Sequence, residues 1–512
     1  VKILKEGSAG YRGSPRLVLG HLAQISMNNT EQQALFIIFG GTGDLAQRKL
    51  YPSLFNLYKR GYLKNHFAVI GTARRPWTDE HYHEVIKESI ADLSDDEEKA
   101  NDFASHFYYQ SHNVNDTNHY VTLRDLADKL DEKYGLCGNR LYYLAMSPRF
   151  FGTICEHLKT QEIITKNGYN RVVVEKPFGH DYESAKTLND EIGSVFPERD
   201  VFRIDHYLGK EMVQNILAVR FGNSMFNAMW NNRYISNIQI TLSEALGVEE
   251  RAGYYETSGA LRDMVQNHIL QIVTLLTMNA PVSYSAEDIS REKINALKSL
   301  KVYNADEVKK NFVRGQYGNV AGLKAYRDED QVASDSMTET FVAGKLAVEN
   351  MDFAGVPIYI RTGKRMKEKA TRIDVVFKQM PVVVFKDSCL KSDVLTINVD
   401  PEPGISIQLN TKKVGQNFDT ESIDIGYSLS DEQKAEMPEA YERLILNALR
   451  GETMNFARWD ELSYSWKFLD SIRKAWDDED LSVDAFPNYA CRTMGPKASD
   501  ELLEKDGNHW EF

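Results

Sequence analysis

The densest chemistry in the chain lies in Arg203-Ile204-Asp205-His206-Tyr207-Leu208-Gly209-Lys210. His206, Tyr207 and Lys210 bring a titratable cation, a hydroxyl and a fixed cation together, a grouping that suits a phosphate monoester. Read alone, Lys210 is equally a surface lysine at a helix start. A second segment, Val174-Glu175-Lys176-Pro177-Phe178-Gly179, closes an apolar run. A third, from Gly259 to His268, carries Asp263 and His268 on a helix otherwise rich in Leu, Ile and Val. A single histidine of this kind is more often a hydrogen-bonded core residue than a catalyst. Histidine is nevertheless the usual general base near neutral pH, and a carboxylate such as Asp205 would orient it and stabilise its charged form. Spacing alone does not pair the two.

A fourth segment, Gly40-Gly41-Thr42-Gly43-Asp44-Leu45-Ala46, follows the apolar run Leu35–Phe39. Glycines between a strand and a helix start let the backbone approach a pyrophosphate, and the helix N-terminus supplies free N–H groups. The motif departs from G-x-G-x-x-G, so an ordinary strand-to-helix turn is the competing reading. The next apolar run, Phe67–Ile70, leads to Arg74 and Arg75. An arginine there accommodates a 2′-phosphate, whereas an acidic residue would favour NAD. The pair therefore favours NADP without excluding NAD, and a solvated surface pair is the alternative.

These segments need elements to hold them. From Ala34 to Asp205, apolar runs (Leu35–Phe39, Phe67–Ile70, Leu141–Ala145, Val172–Val174, Val201–Ile204) alternate with helical patterns such as Leu50-Leu54-Leu57-Tyr58. That alternation predicts a parallel sheet with helices on its faces, whose strand C-terminal ends border a ligand crevice. Lys176, Asp205 and His206 would stand there. After about residue 230, period-two runs dominate: Ile238–Leu242, Phe341–Val348, Val356–Ile360, Ile373–Phe377, Leu395–Val399 and Ile405–Leu409. They predict a mainly antiparallel sheet with one face buried. Ala260–Thr277 and Pro438–Arg450 read as helices. The expected fold is an α/β Rossmann-like dinucleotide-binding domain over 31–205, then an α+β domain with a large antiparallel sheet over 206–512. Residues 1–30 are expected to form an N-terminal extension. It would be disordered or non-native before Met27, which reads as the natural start; a genuine flexible arm is the rival reading.

Composition narrows the class. The 512 residues carry 61 Lys plus Arg against 74 Asp plus Glu, a net charge of −13. A general nucleic-acid binder is disfavoured, so an anionic ligand needs a local basic cluster. No run approaches the roughly 20 apolar residues of a membrane span. Cys137, Cys155, Cys389 and Cys491 stand far apart without a C-x-x-C spacing, which suits a reducing cytoplasm and suggests no metal site.

Four motifs, in chain order Gly40 to Ala46, Glu175 to Gly179, Arg203 to Glu211 and Arg361 to Arg365, carry a resemblance. The chain resembles glucose-6-phosphate 1-dehydrogenase, in particular its lactic-acid-bacterial type, from about Leu35 to the C-terminus. Arg203 to Glu211 is the most specific segment; Gly40 to Ala46, Glu175 to Gly179 and Arg361-Thr362-Gly363-Lys364-Arg365 support it. The resemblance implies that His268 takes the proton from the sugar C1 hydroxyl, with Asp205 as its partner. It implies phosphate contacts from His206, Tyr207 and Lys210, and sugar or phosphate contacts from Lys176, Glu244, Asp263, Lys364 and Lys369. Gly40, Thr42, Gly43, Lys49, Arg74 and Lys176 resemble cofactor contacts. The implied reaction moves a hydride from C1 of glucose 6-phosphate to NADP, without a metal. Gly41-Thr42, where many members have Ala-Ser, resembles members using both NAD and NADP. A cytoplasmic homodimer or homotetramer is the implied state. Another NADP-linked oxidoreductase of a phosphorylated sugar, and a non-catalytic sugar-phosphate sensor on the same fold, are the competing readings.

Overall fold

The computed structural model describes residues 30–380, 384 and 390–512. Except for Thr30, the expected N-terminal extension lies outside the described residues, as does Cys389.

Six strands, β1 (Ala34–Phe39), β2 (Phe67–Ala73), β3 (Phe107–Ser111), β4 (Arg140–Leu144), β5 (Asn170–Val174) and β6 (Val201–Ile204), form a parallel sheet in the order β3-β2-β1-β4-β5-β6. A parallel sheet needs cover on both faces, which is why β1 is apolar at every position. Ala34, Phe36 and Ile38 pack on one face with helices Tyr51–Lys59, Asp79–Ser89 and Glu97–Ala104; Leu35, Ile37 and Phe39 pack on the other with Thr117–Tyr134, Phe151–Thr160 and Tyr182–Gly193. Five of these strands match the apolar runs. The exception is β3, whose Phe-Tyr-Tyr-Gln-Ser sequence lacks an aliphatic run. Its Tyr109 is held by packing and by donation to the carbonyl of Arg75 at 2.6 Å.

The later part of the chain supplies β7 (Ile235–Ser243), β8 (Phe312–Gly315), β9 (Tyr317–Gly318), β10 (Phe341–Leu346), β11 (Ile358–Gly363), β12 (Ala370–Phe377), β13 (Val394–Asp400), β14 (Gly404–Lys412) and β15 (Thr420–Ser428). Eight of them form one sheet in the order β15-β14-β13-β12-β7-β11-β10-β8. Every pairing is antiparallel except β7 with β11. Two short strands stitch the architecture together. β16 (Phe456–Ala457) adds antiparallel to β6 at the edge of the first sheet, and β17 (Tyr489–Ala490) pairs with β9.

The period-two pattern predicts one buried face, and the central strands depart from it. Ile238, Ile240 and Leu242 of β7 enter the core, yet Asn237, Gln239, Thr241 and Ser243 on the opposite face are buried as well. The last residues of the chain cover that polar face. Gln239 donates to the carbonyl of His509 at 2.8 Å and accepts from the N–H of Glu511 at 2.8 Å, and Arg361 donates to the carbonyl of Phe512. Buried polar side chains are tolerated here because a backbone satisfies them.

Between the sheets runs a helical layer. Its central member spans Ala252–Ala260, Leu261–Ile269 and Leu270–Thr277, with a break at Gly259. Gly259 has φ 65°, and a Cβ there would stand 2.4 Å from the Glu339 carboxylate. That carboxylate accepts the N–H of Leu261 at 3.1 Å, so the break lets an acid cap the restarted helix. The segment Leu261–Ile269 is wound in the wider π-helical manner and carries both Asp263 and His268.

Candidate active site

A cleft of about 1190 Å³ opens where the C-terminal ends of the first sheet's strands face the helical layer and the second sheet. Its lining begins at Asp44, directly after the glycine turn; Gly40, Thr42 and Gly43 themselves lie outside that lining. Gly40, with φ 98°, lies so close to β4's exit that a Cβ would meet the carbonyl oxygen of Ala145 at 2.2 Å. The N–H of Gly43 closes the turn on the carbonyl of Gly40 at 3.0 Å, and the carbonyl of Thr42 accepts from Gln47 at 3.0 Å. The following helix thus starts with its N–H groups toward the cleft, where Asp44, Leu45, Arg48 and Lys49 line the wall. This bare, glycine-shaped helix start fits a dinucleotide pyrophosphate.

At the centre of the cleft the three distant segments meet. Nδ1 of His268 lies 2.5 Å from Oδ1 of Asp205, which also accepts the N–H of Tyr207 at 3.0 Å. Both side chains are buried. The Lys176 ammonium stands 3.1 Å from Nε2 of His268 and 3.3 Å from Oδ1 of Asp263. An ammonium can only donate, so Nε2 presents its lone pair and the proton of a neutral imidazole sits on Nδ1, toward Asp205. The ring is further fixed by Tyr207, stacked on it at 4.2 Å, and by the edge of His206 at 4.6 Å.

Electrostatics hold these protonation states. Burial lowers the pKa of His268; Asp205 opposes that and Lys176 reinforces it, with a net shift below the ordinary histidine value. Burial acts to raise the Asp205 carboxyl, but His268 and the Tyr207 N–H outweigh it and keep it below the usual range. Asp263 is likewise buried, yet Lys176, Lys364 and Arg251 pull it down to about 2. Burial would lower Lys176; Asp263, Tyr254 and Asp205 instead raise it. The centre is therefore a neutral histidine between a fixed carboxylate and a fixed ammonium.

Around it stand the remaining sequence-predicted residues. His206, Tyr207, Lys210, Glu244 and Lys364 all line the cleft. Lys210 is ion-paired with Asp400 and lies over the Tyr207 ring at 4.6 Å; Lys364 is ion-paired with Glu244. Lys49 sits at the rim, paired with Glu439 at 2.8 Å. Arg74 follows β2 directly and is exposed, beside the glycine turn in the sheet order but outside the cleft lining. Lys369 is exposed and also outside that lining.

Other cleft residues went unassigned in the sequence. Tyr254 donates to Asp263 at 3.3 Å, and Arg251 lies over its ring at 4.9 Å. Glu175 is buried and takes the Tyr143 hydroxyl at 2.6 Å and the more distant Tyr441 hydroxyl at 3.5 Å. Glu175 adjoins Lys176 in a legible motif; Tyr254, Tyr441, Asp400 and Glu439 carry no local signal and reach the cleft only through tertiary packing. Among the described residues, Asp205, His206 and His268 bring potential metal-ligand atoms within 4.8 Å of one another. The Lys176 ammonium beside His268 disfavours a cation there, and Oδ1 of Asp205 is already engaged.

A dinucleotide-type parallel sheet with a buried histidine–carboxylate pair at its strand ends defines an oxidoreductase. Residues 37–215 match the family description "Glucose-6-phosphate dehydrogenase, NAD binding domain", and residues 217–511 match "Glucose-6-phosphate dehydrogenase, C-terminal domain". Glucose-6-phosphate 1-dehydrogenase of Bacillus subtilis (strain 168) is 50% identical over 489 residues, covering 94% of this chain and 99% of the relative. That of Leuconostoc mesenteroides is 46% identical over 485 residues, covering 94% and 99%. A solved glucose-6-phosphate dehydrogenase in complex with its substrate glucose-6-phosphate superposes with a TM-score of 0.86 at 34% identity, covering 94% of this chain and 99% of the other. The chain belongs to the glucose-6-phosphate dehydrogenase family.

Proposed function

We propose that the protein oxidises glucose 6-phosphate at C1 to 6-phosphoglucono-1,5-lactone, passing the hydride to NADP and also to NAD, the first step of the oxidative pentose phosphate pathway. The observation that carries this reading is the Asp205–His268 pair, with the lone pair of His268 Nε2 turned to the cleft beside Lys176. Bound over the glycine turn, the nicotinamide dinucleotide supplies the hydride acceptor. His268 removes the C1 hydroxyl proton, which makes the C1 hydrogen a better hydride donor. In doing so, Nε2 exchanges its contact with Lys176 for the sugar hydroxyl, and the imidazolium is stabilised by Asp205. His206, Tyr207 and Lys210 hold the phosphate, whose binding energy positions the distant C1 atom. Lys176, Glu244, Asp263 and Lys364 orient the hydroxyls; Lys369 is assigned to the same group on the family resemblance alone.

Gly40, Thr42 and Gly43 receive the pyrophosphate, with Lys49 and Lys176 as further cofactor contacts. Arg74 takes the 2′-phosphate, supported by its place at the end of β2. The cofactor domain is assigned to 31–205 and the substrate-binding and oligomerisation domain to 206–512. The family matches, which change over between residues 215 and 217, support a boundary nearby. Among the described residues no helix is long and apolar enough to cross a membrane. A cytoplasmic homodimer or homotetramer follows from the family resemblance, and the exposed Ile423, Ile425 and Tyr427 along one face of β15 favour self-association.

The test is reduction of NADP and, separately, of NAD with glucose 6-phosphate, for the wild type and for His268→Asn. The wild type is expected to reduce both. His268→Asn should lose about 10²–10⁴ in kcat while binding glucose 6-phosphate normally. Unchanged turnover would remove His268 from the base role. No reduction by folded wild-type protein would move the assignment to another phosphorylated sugar or to a sensor.

A further inference from the structure

Beside the main cleft, and sharing Lys176 with it, lies a second chamber of about 280 Å³ to which the proposed reaction assigns no ligand. Lys176, Pro177, Tyr254 and Thr257 wall it on one side and the main cleft on the other. We propose that this side chamber binds a compact anion with a flat apolar body, of the class of single-ring aromatic carboxylates.

Three features point to that chemistry. The first is charge. Arg262 and Lys176 both line the chamber, and no Asp or Glu does among the described residues. Lys176 is already paired with Asp263 at 3.3 Å, whereas Arg262 forms no ion pair with a carboxylate among the described residues, so the charge open to an anion is that of Arg262. The second is an unmet donor. Nε2 of Gln266 is buried, has no hydrogen-bond partner, and belongs to a lining residue that is only 6% exposed. A buried amide left unpaired costs about 1–3 kcal/mol, which an accepting ligand oxygen would recover. The third is shape. Trp466, Tyr254 and Pro177 supply flat apolar walls, and the volume is near the lower end for small-molecule sites, about 300 Å³. Arg262 is preorganised: its Nε donates to the carbonyl of His180 at 2.9 Å and its Nη1 to that of Thr257 at 3.3 Å, which fixes the guanidinium plane at the wall.

Occupancy reaches the chemistry through Lys176. An anion in the chamber attracts the ammonium that otherwise contacts His268 and Asp263. Turnover should fall and the KM for glucose 6-phosphate rise, because Lys176 also orients the sugar hydroxyls; this coupling rests on the proposed function, whereas the binding does not.

The binding is tested with para-fluorobenzoate on the full chain, read by fluorine NMR without turnover. Arg262→Ala and Gln266→Leu, two residues outside the catalytic set, should each weaken it about tenfold, as should replacing the probe by neutral para-fluorobenzamide. Glucose 6-phosphate should weaken the probe only to a plateau, by reciprocal coupling through Lys176, and not displace it. If Arg262→Ala fails to fold, Gln266→Leu and the neutral probe still decide. No binding, equal binding to the variants and to the amide, or displacement by glucose 6-phosphate overturns the site. Binding with the expected variant pattern but unchanged turnover overturns the coupling alone.

Discussion

In the proposed mechanism His268 serves as a base because two neighbours and burial decide where its one proton sits. Asp205 accepts from Nδ1, Lys176 occupies the far side, and burial keeps the ring neutral. The pH dependence follows from the sign of that shift. A base must be unprotonated, and its pKa in the free protein lies below the ordinary 6.5, so kcat/KM should hold above pH 6.5 and fall only on further acidification. Asp205→Asn removes the group that opposes the depression and lets the imidazole adopt the wrong tautomer. We expect kcat to drop about 10²–10⁴-fold, with the surviving acid limb at lower pH than in the wild type. Pre-steady-state measurement of the hydride step across pH checks both; an Asp205→Asn limb moved to higher pH would contradict the geometry.

Elements decide whether those residues meet. The helix Leu261–Ile269 brings His268 to Asp205 because the chain breaks at Gly259 and restarts on the Glu339 carboxylate, itself tied to Arg473 at 3.1 Å. Gly259→Ala should destabilise the protein by about 2 kcal/mol or more, since alanine must hold a positive φ and displace Glu339. It should also lower kcat, because the cap moves with the helix. Gly222→Ala is the control: a Cβ there meets nothing within 4 Å, and the residue closes the helix Glu211–Gly222 without a positive φ. Denaturant melts and kcat of the two variants separate positional strain from loss of any glycine. The same elements explain what the sequence made legible. β1, β2 and β4 to β6 are apolar runs because both faces are covered, and the period-two strands of the second sheet announce its core face. β3 and β8 lack such a run, β15 alternates through Ile423, Ile425 and Tyr427 but leaves that face exposed, and the burial of Asn237 and Gln239 on β7 is explained by residues 508–511. In the site, Lys176, Asp205, His206 and Lys210 stand in dense local motifs, whereas the partnership of Asp205 with His268 and the arrival of Tyr254, Tyr441 and Asp400 come from packing between segments far apart in the chain.

At the scale of the whole molecule, two buried groups on the first sheet set opposing dependences of stability on pH. His112 follows β3; neither ring nitrogen has a partner, Phe39 and Tyr120 pack on it, and burial, then His119 and His157, depress its pKa to about 4, with Asp116 opposing. Glu175 follows β5; burial raises its carboxyl to about 7 against the hydroxyls of Tyr143 and Tyr441 and the charge of Lys176. A depressed histidine takes up its proton more readily unfolded, so its contribution is present above pH 6.5 and is lost as pH falls to about 4. A raised carboxyl is protonated more readily folded, so its contribution is present below pH 4.5 and is lost as pH rises to about 7. Each amounts to about 3 kcal/mol across its window. Between pH 4.5 and 6.5 the two slopes cancel. Relative to the wild type, His112→Phe should therefore tilt stability downward with pH between about 4 and 6.5, and Glu175→Gln should tilt it upward between about 4.5 and 7. The double variant should differ from the wild type by the sum of the two single changes, because β2, β1 and β4 separate the sites by roughly 20 Å at the ordinary strand spacing and such distant changes add. Denaturant midpoints at half-unit pH steps for the four proteins measure this directly. A single variant that leaves the slope unchanged would mean its group titrates alike in the folded and unfolded chain; a double variant that departs from the sum would mean the sheet couples the ends of β3 and β5.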